Sequence, residues 1–140
     1  GLRLLDVGAC QLSAASFKAL VEADWPALTS LGAKYAQVTF SGPRALGAAA
    51  FAGLPALEEL DLSSVRVGEA GAAPLASRRW PRLKTLNLSG CRLGDAGVAA
   101  LARGQWPALA VLNLRNNGLG APLALEDARR WAPALVELQQ

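Results

Sequence analysis

Residues 83–93 read LKTLNLSGCRL, and the wording returns as LAVLNLRNNGL at 109–119 and more loosely as LEELDLSSVRV at 57–67. Aligning the phrase gives starts at Leu2, Leu28, Leu57, Leu83, Leu109 and Leu135, spaced 26, 29, 26, 26 and 26 residues. A second marker keeps the same frame. An apolar residue and a proline stand just ahead of each start in WPAL (25–28), LPAL (54–57), WPRL (80–83) and WPAL (106–109), slipping by one in WAPAL (131–135). Two markers on one period define a repeat built from a small supersecondary unit.

Within a unit the hydrophobic period changes. Leu86, Asn87, Leu88 and Ser89 alternate as a short strand with one buried face does. The following LGDAGVAALARGQWP (93–107) sets Val98, Leu101 and Ala102 at helical spacing, with Asp95 as cap or first-turn acid and Gly104 and Pro107 as stops. The first unit repeats the scheme, with Ser13 as cap and Phe17, Leu20 and Val21 on the inner face. The second unit has Ala33 and Ala36 where larger core residues are expected, and three extra residues. Its strand is expected to be the weakest, and its outer segment a loop or a displaced helix. In the fifth unit Pro122 stands near the helix start and the tryptophan moves to Trp131, as at the approach to a terminal cap.

A unit this short cannot bury its own leucines and must stack on its neighbours. Adjacent strands sit ~4.8 Å apart, whereas packed helices need ~8–10 Å, so the strand side is expected on the inside of a curve. Each fully buried leucine contributes roughly 1.5–3 kcal/mol, which makes the strand phrases the spine of stability.

The phrase L-x-x-L-x-L-x-x-N/C-x-L resembles that of leucine-rich repeats, and the resemblance runs the length of the chain. GDAGVAALA after the last leucine is similar to the ribonuclease-inhibitor-like subtype. The period of 26 and Cys10 and Cys91 at the ninth position resemble the cysteine-containing subtype. The resemblance implies an α/β leucine-rich-repeat solenoid, a curved right-handed horseshoe arc with parallel strands concave and helices convex. It implies one domain over 1–140, with five full repeats (2–27, 28–56, 57–82, 83–108, 109–134) and the start of a sixth (135–140). Gly1 enters in mid-repeat and LVELQQ stops on a strand. We therefore read the chain as a fragment of a longer one, its terminal surfaces covered by further repeats or partners.

Composition narrows the function. The chain has 140 residues, 52% hydrophobic and 18% charged, as expected of one globular domain. No apolar run approaches the ~20 residues of a membrane span, and no leader pattern opens it. The charge of +3 reflects 14 basic against 11 acidic residues. Only Arg78, Arg79 and Arg82 cluster, beside Trp80, so nucleic acid is not the expected partner. With no histidine, histidine-assisted nucleophiles and histidine metal sites are excluded. Asp6, Asp61, Asn87 and Asn113 share the fifth position and form a polar row instead of an acid–base pair. No enzyme activity and no cofactor are expected.

Cys10 and Cys91 lie three units apart, about 14 Å along the strand side, beyond the ~7 Å that a disulfide spans. Both are expected to be buried, reduced thiols bonded to backbone, which points to an intracellular, cytoplasmic setting. Asn117 at the same position is expected to serve the backbone ladder. Trp25, Trp80, Trp106 and Trp131 recur after each helix and are expected to fill the joint to the next strand. The sequon at Asn87 falls inside the strand phrase and is read as repeat wording.

The concave face remains for binding another protein. Alternation along the strand is expected to turn outward Lys34 and Tyr35; Glu59, Asp61, Ser63 and Ser64; Thr85, Asn87 and Ser89; and Val111, Asn113, Arg115 and Asn116, with Glu137 at the far rim. Tyr35 and Arg115, types enriched at hot spots, are the leading pair. Arg66 and Arg92 share the tenth position and form a basic patch on the loop edge. Such an arc also suits the recognition part of a ubiquitin-ligase adaptor or microbial effector, the sensor arc of an innate-immune receptor, or a structural subunit of a large assembly.

Overall fold

The computed structural model describes residues 1–8, 10, 12–36 and 50–140. Most of the outer segment of the second unit, at 37–49, lies outside the described residues. Elements follow the order β1 (Leu4–Asp6), α1 (Ala14–Glu22), β2 (Ser30–Gly32), β3 (Glu59–Asp61), α2 (Gly68–Ala76), β4 (Thr85–Asn87), α3 (Gly94–Leu101), β5 (Val111–Asn113), α4 (Leu125–Ala128) and β6 (Glu137–Gln139).

The six strands form one parallel sheet in chain order. The register aligns Leu5, Leu31, Leu60, Leu86, Leu112 and Leu138 in a single file. That file faces the core: Leu31, Leu60, Leu86 and Leu112 are fully buried, and Leu5 and Leu138 in the edge strands pack partly against the same cluster. Phe17 and Val21 of α1, Ala72 and Leu75 of α2, Val98 and Leu101 of α3 and Ala128 of α4 complete it. Parallel sheets are ordinarily covered on both faces. Here the described helices cover one, and the residues on either side of the leucine file stay half-buried or exposed.

Local chemistry fixes where each element begins and ends. The Ser13 hydroxyl accepts the Ser16 N–H at 3.1 Å and caps α1. Helices α2 and α3 open instead on Gly68 and Gly94, both at φ +59°. Their N–H groups donate to the ninth-position carbonyls of the next unit, Cys91 at 3.0 Å and Asn117 at 2.9 Å. Glu69 and Asp95 occupy the first turns, where a carboxylate suits the helix dipole.

The tryptophans close the helices. The indole Nε1–H groups of Trp25, Trp80 and Trp106 donate to the carbonyls of Leu20, Leu75 and Leu101 at 2.9, 2.8 and 3.0 Å. Each thus bonds a last-turn carbonyl of its helix, adding to the Arg78 and Gly104 N–H groups that Leu75 and Leu101 also accept. Trp80 and Trp106 are buried, their rings 6.3 Å apart and within 6° of parallel. Trp25 and Trp131, toward the two ends, are only half-buried.

The structure corrects two expectations and shows how the fifth unit departs. Cys10 is exposed, while Cys91 is buried. The Cys91 thiol donates to the Leu62 carbonyl of the preceding unit at 3.0 Å, the kind of bond expected of both cysteines. Ser63 does not turn outward but is 4% exposed, unlike Lys34, Ser89 and Arg115 at the same seventh position, which are half-buried or exposed; it lies beyond the strand end at Asp61, where alternation does not fix direction. The fifth unit's helix shrinks to the four residues LEDA, beginning three residues after Pro122.

Candidate binding face

The uncovered face of the sheet presents two rows of side chains. One is Leu4, Ser30, Glu59, Thr85, Val111 and Glu137; the other is Asp6, Gly32, Asp61, Asn87, Asn113 and Gln139. In the second row the side chains share a structural task. Asp6, Asp61, Asn87 and Asn113 each use Oδ1 to accept the N–H two residues on, from Gly8, Ser63, Ser89 and Arg115, at 2.8 to 3.1 Å. This local bond competes with further strand pairing at the ends of β1, β3, β4 and β5.

Beyond it the chain turns. Tyr35, Ser64, Gly90 and Asn116, all at the eighth position, have φ between +58° and +65°. This left-handed turn carries the ladder onward: the N–H groups of Tyr35, Ser64 and Gly90 donate to the carbonyls of Ser63, Ser89 and Arg115 at 3.0, 2.8 and 2.8 Å.

The expected contact residues therefore divide. Glu59, Asp61, Asn87 and Asn113 stand in the strands, on the open face. Lys34, Tyr35, Arg115 and Asn116 stand in the turns and form a rim, all exposed, with the Lys34 ammonium 5.0 Å from the centre of the Tyr35 ring. Arg66 and Arg92 are exposed on the same edge, in the turns after β3 and β4. Tyr35 and Arg115 sit beside different strands, β2 and β5, and do not meet.

Sequence reasoning missed the notch between the acids. Gly32 takes the fifth position where the first, third, fourth and fifth units have Asp or Asn, and a methyl group there would lie 2.9 Å from Asp6 Oδ1. Around it opens a hollow of about 290 Å³, lined by Asp6, Ser30, Gly32, Glu59, Asp61 and Asn87 among others. The Ser30 hydroxyl donates to Glu59 Oε2 at 3.2 Å. The glycine was visible once the units were aligned, but its effect depends on what flanks it across the sheet.

Chemistry around this face is modest. Lys84 Nζ donates to Glu58 Oε2 at 2.8 Å on the strand-entry side, and that bond with the nearby charge holds the Glu58 carboxyl below its usual range. Burial pushes the Cys91 thiol up to about 12, which keeps it protonated and a poor nucleophile. Among the described residues no group of three or more His, Cys, Asp or Glu is placed to hold a metal ion. No described helix is long and apolar enough to cross a membrane.

No curated protein matches the chain. A family model described as Leucine Rich repeat matches residues 82–102, the segment that holds β4 and α3. Domains of that family commonly mediate protein–protein interaction and are generally non-catalytic. With six strands in one parallel sheet and helices on one side, the match supports a leucine-rich repeat protein.

Proposed function

We propose that the chain is a non-catalytic protein-binding scaffold, seating a partner protein on the open face of the sheet and the adjoining turns. The reading includes one solenoid of the ribonuclease-inhibitor-like or cysteine-containing type, with the unit boundaries given above and further repeats or partners over its ends. Strands ~4.8 Å apart against helices ~8–10 Å apart support an arc with the open face in its hollow. The contact set is Lys34, Tyr35, Glu59, Asp61, Asn87, Asn113, Arg115 and Asn116. Two free thiols favour an intracellular, cytoplasmic site.

One observation carries this reading. One face of the sheet is filled with leucine, and the other is polar and uncovered by any described residue. Photo-crosslinkers placed at Thr85, on that face, and at Ala99, on the exposed side of α3, test it. A protein captured at Thr85 and not at Ala99 is the expected result. Capture at Ala99 alone, or at neither position, overturns it.

A further inference from the structure

Charge is unevenly divided over the molecule. The two outward rows hold four carboxylates, Asp6, Glu59, Asp61 and Glu137, and no lysine or arginine, although the chain has 14 basic against 11 acidic residues. The ion pairs among the described residues, Lys18 with Glu22, Lys84 with Glu58 and Arg130 with Asp127, involve none of these four.

The charge is not needed by the fold. Asn87 and Asn113 receive the same backbone N–H through an amide oxygen that Asp6 and Asp61 receive through a carboxylate. At two of the four positions the same turn forms with a neutral side chain. Yet the acids occur together on β1 and β3 with Glu59 beside them, and the amides occupy β4 and β5.

We propose that this face docks a basic, extended segment of a partner protein, laid across β1 to β3, with a lysine or arginine head group over Gly32. The proposal rests on the protein-binding reading above and names its partner's chemistry. Asp6 and Asp61 flank Gly32 on the neighbouring strands, ~10 Å apart, so a cation in the notch lies between two carboxylates, with Glu59 alongside. Arginine in particular matches a carboxylate with paired donors. Lys34, Arg66, Arg92 and Arg115 line the turn edge and repel a basic chain there, which holds it on the strands. The sign of the face also disfavours a nucleic-acid backbone.

Fluorescence anisotropy with a labelled peptide alternating lysine or arginine with glycine tests the inference, with a glutamate–glycine peptide as the opposite probe. The basic peptide is expected to bind, more weakly at high salt, and the acidic one not to bind. The triple variant Asp6→Asn, Glu59→Gln and Asp61→Asn is expected to weaken binding by about tenfold or more. A second triple, Asp24→Asn, Glu69→Gln and Glu126→Gln, removes equal charge elsewhere and is expected to change affinity by less than about twofold. Equal losses in both triples, no loss in the first, or no binding of the basic peptide overturn the proposal. If Thr85 still captures a protein whose affinity the first triple leaves unchanged, the binding face stands and its basic occupant falls.

Discussion

Asn117 and Cys91 hold the same place in neighbouring units, and Asn117 Oδ1 accepts the Cys91 backbone N–H at 2.9 Å. The same oxygen accepts from Leu93 N–H at 3.2 Å, while Nδ2 donates to the carbonyls of Leu88, Leu114 and Arg115 at 2.8, 2.9 and 3.3 Å. One buried amide thus satisfies backbone groups on two units. Asn117→Ala leaves several of them buried without partners and is expected to cost about 2–4 kcal/mol. Equilibrium urea unfolding measures it, and a loss under about 0.5 kcal/mol contradicts the stitching role.

The two cysteines are expected to behave oppositely toward a thiol reagent at mildly alkaline pH. Cys10 is exposed and Cys91 buried, so one thiol is expected to react in the folded protein and two in denaturant. Burial favours the protonated Cys91 thiol, raising its pKa from 9.0 to about 12. The associated stability is fully present below 9.0 and is lost as pH rises from there toward 12. Cys91→Ala is expected to flatten that alkaline decline in an unfolding series. Rapid labelling of both thiols in the native state contradicts the burial argument.

Pro74 lies inside α2 and gives the Ala70 carbonyl no N–H to accept. Interior prolines cost helices about 3 kcal/mol, and Pro74 is seven residues into a nine-residue helix. Pro74→Ala is therefore expected to raise stability by roughly 1–3 kcal/mol. A lowered thermal midpoint would show that the ring's packing outweighs the missing bond.

The six strands, and the helices of the first, third and fourth units, were legible because hydrophobic period encodes them directly: Leu60, Leu86 and Leu112 are buried where the aligned phrase puts them. The joint role of the tryptophans was legible from their fixed place, though not the indole bond to the residue five earlier. The strand ends were not read. Asp61 and Asn87 signal a turn two residues on, which strand alternation alone does not register, and in Tyr35's own unit Gly32 carries no such signal. Gly90 and Asn116 suit the left-handed eighth position, but Tyr35 and Ser64 occupy it under the pull of the interstrand ladder, which no local propensity reveals. The acidic notch needed three units read across the sheet at once.

The fifth-position row separates a structural role from a charge role. At Asp61 the carboxylate Oδ1 accepts the N–H of the buried Ser63 at 2.8 Å. An amide oxygen does the same at Asn87, accepting from Ser89 at 3.1 Å. Asp61→Asn is therefore expected to change stability by less than about 0.5 kcal/mol. Asp61→Ala leaves the Ser63 N–H without its acceptor and is expected to cost about 1–3 kcal/mol. Thermal or urea unfolding of the two variants side by side decides the point. If Asn is as damaging as Ala, the carboxylate charge itself serves the fold, and the argument that the acids are free to meet a basic partner loses its footing.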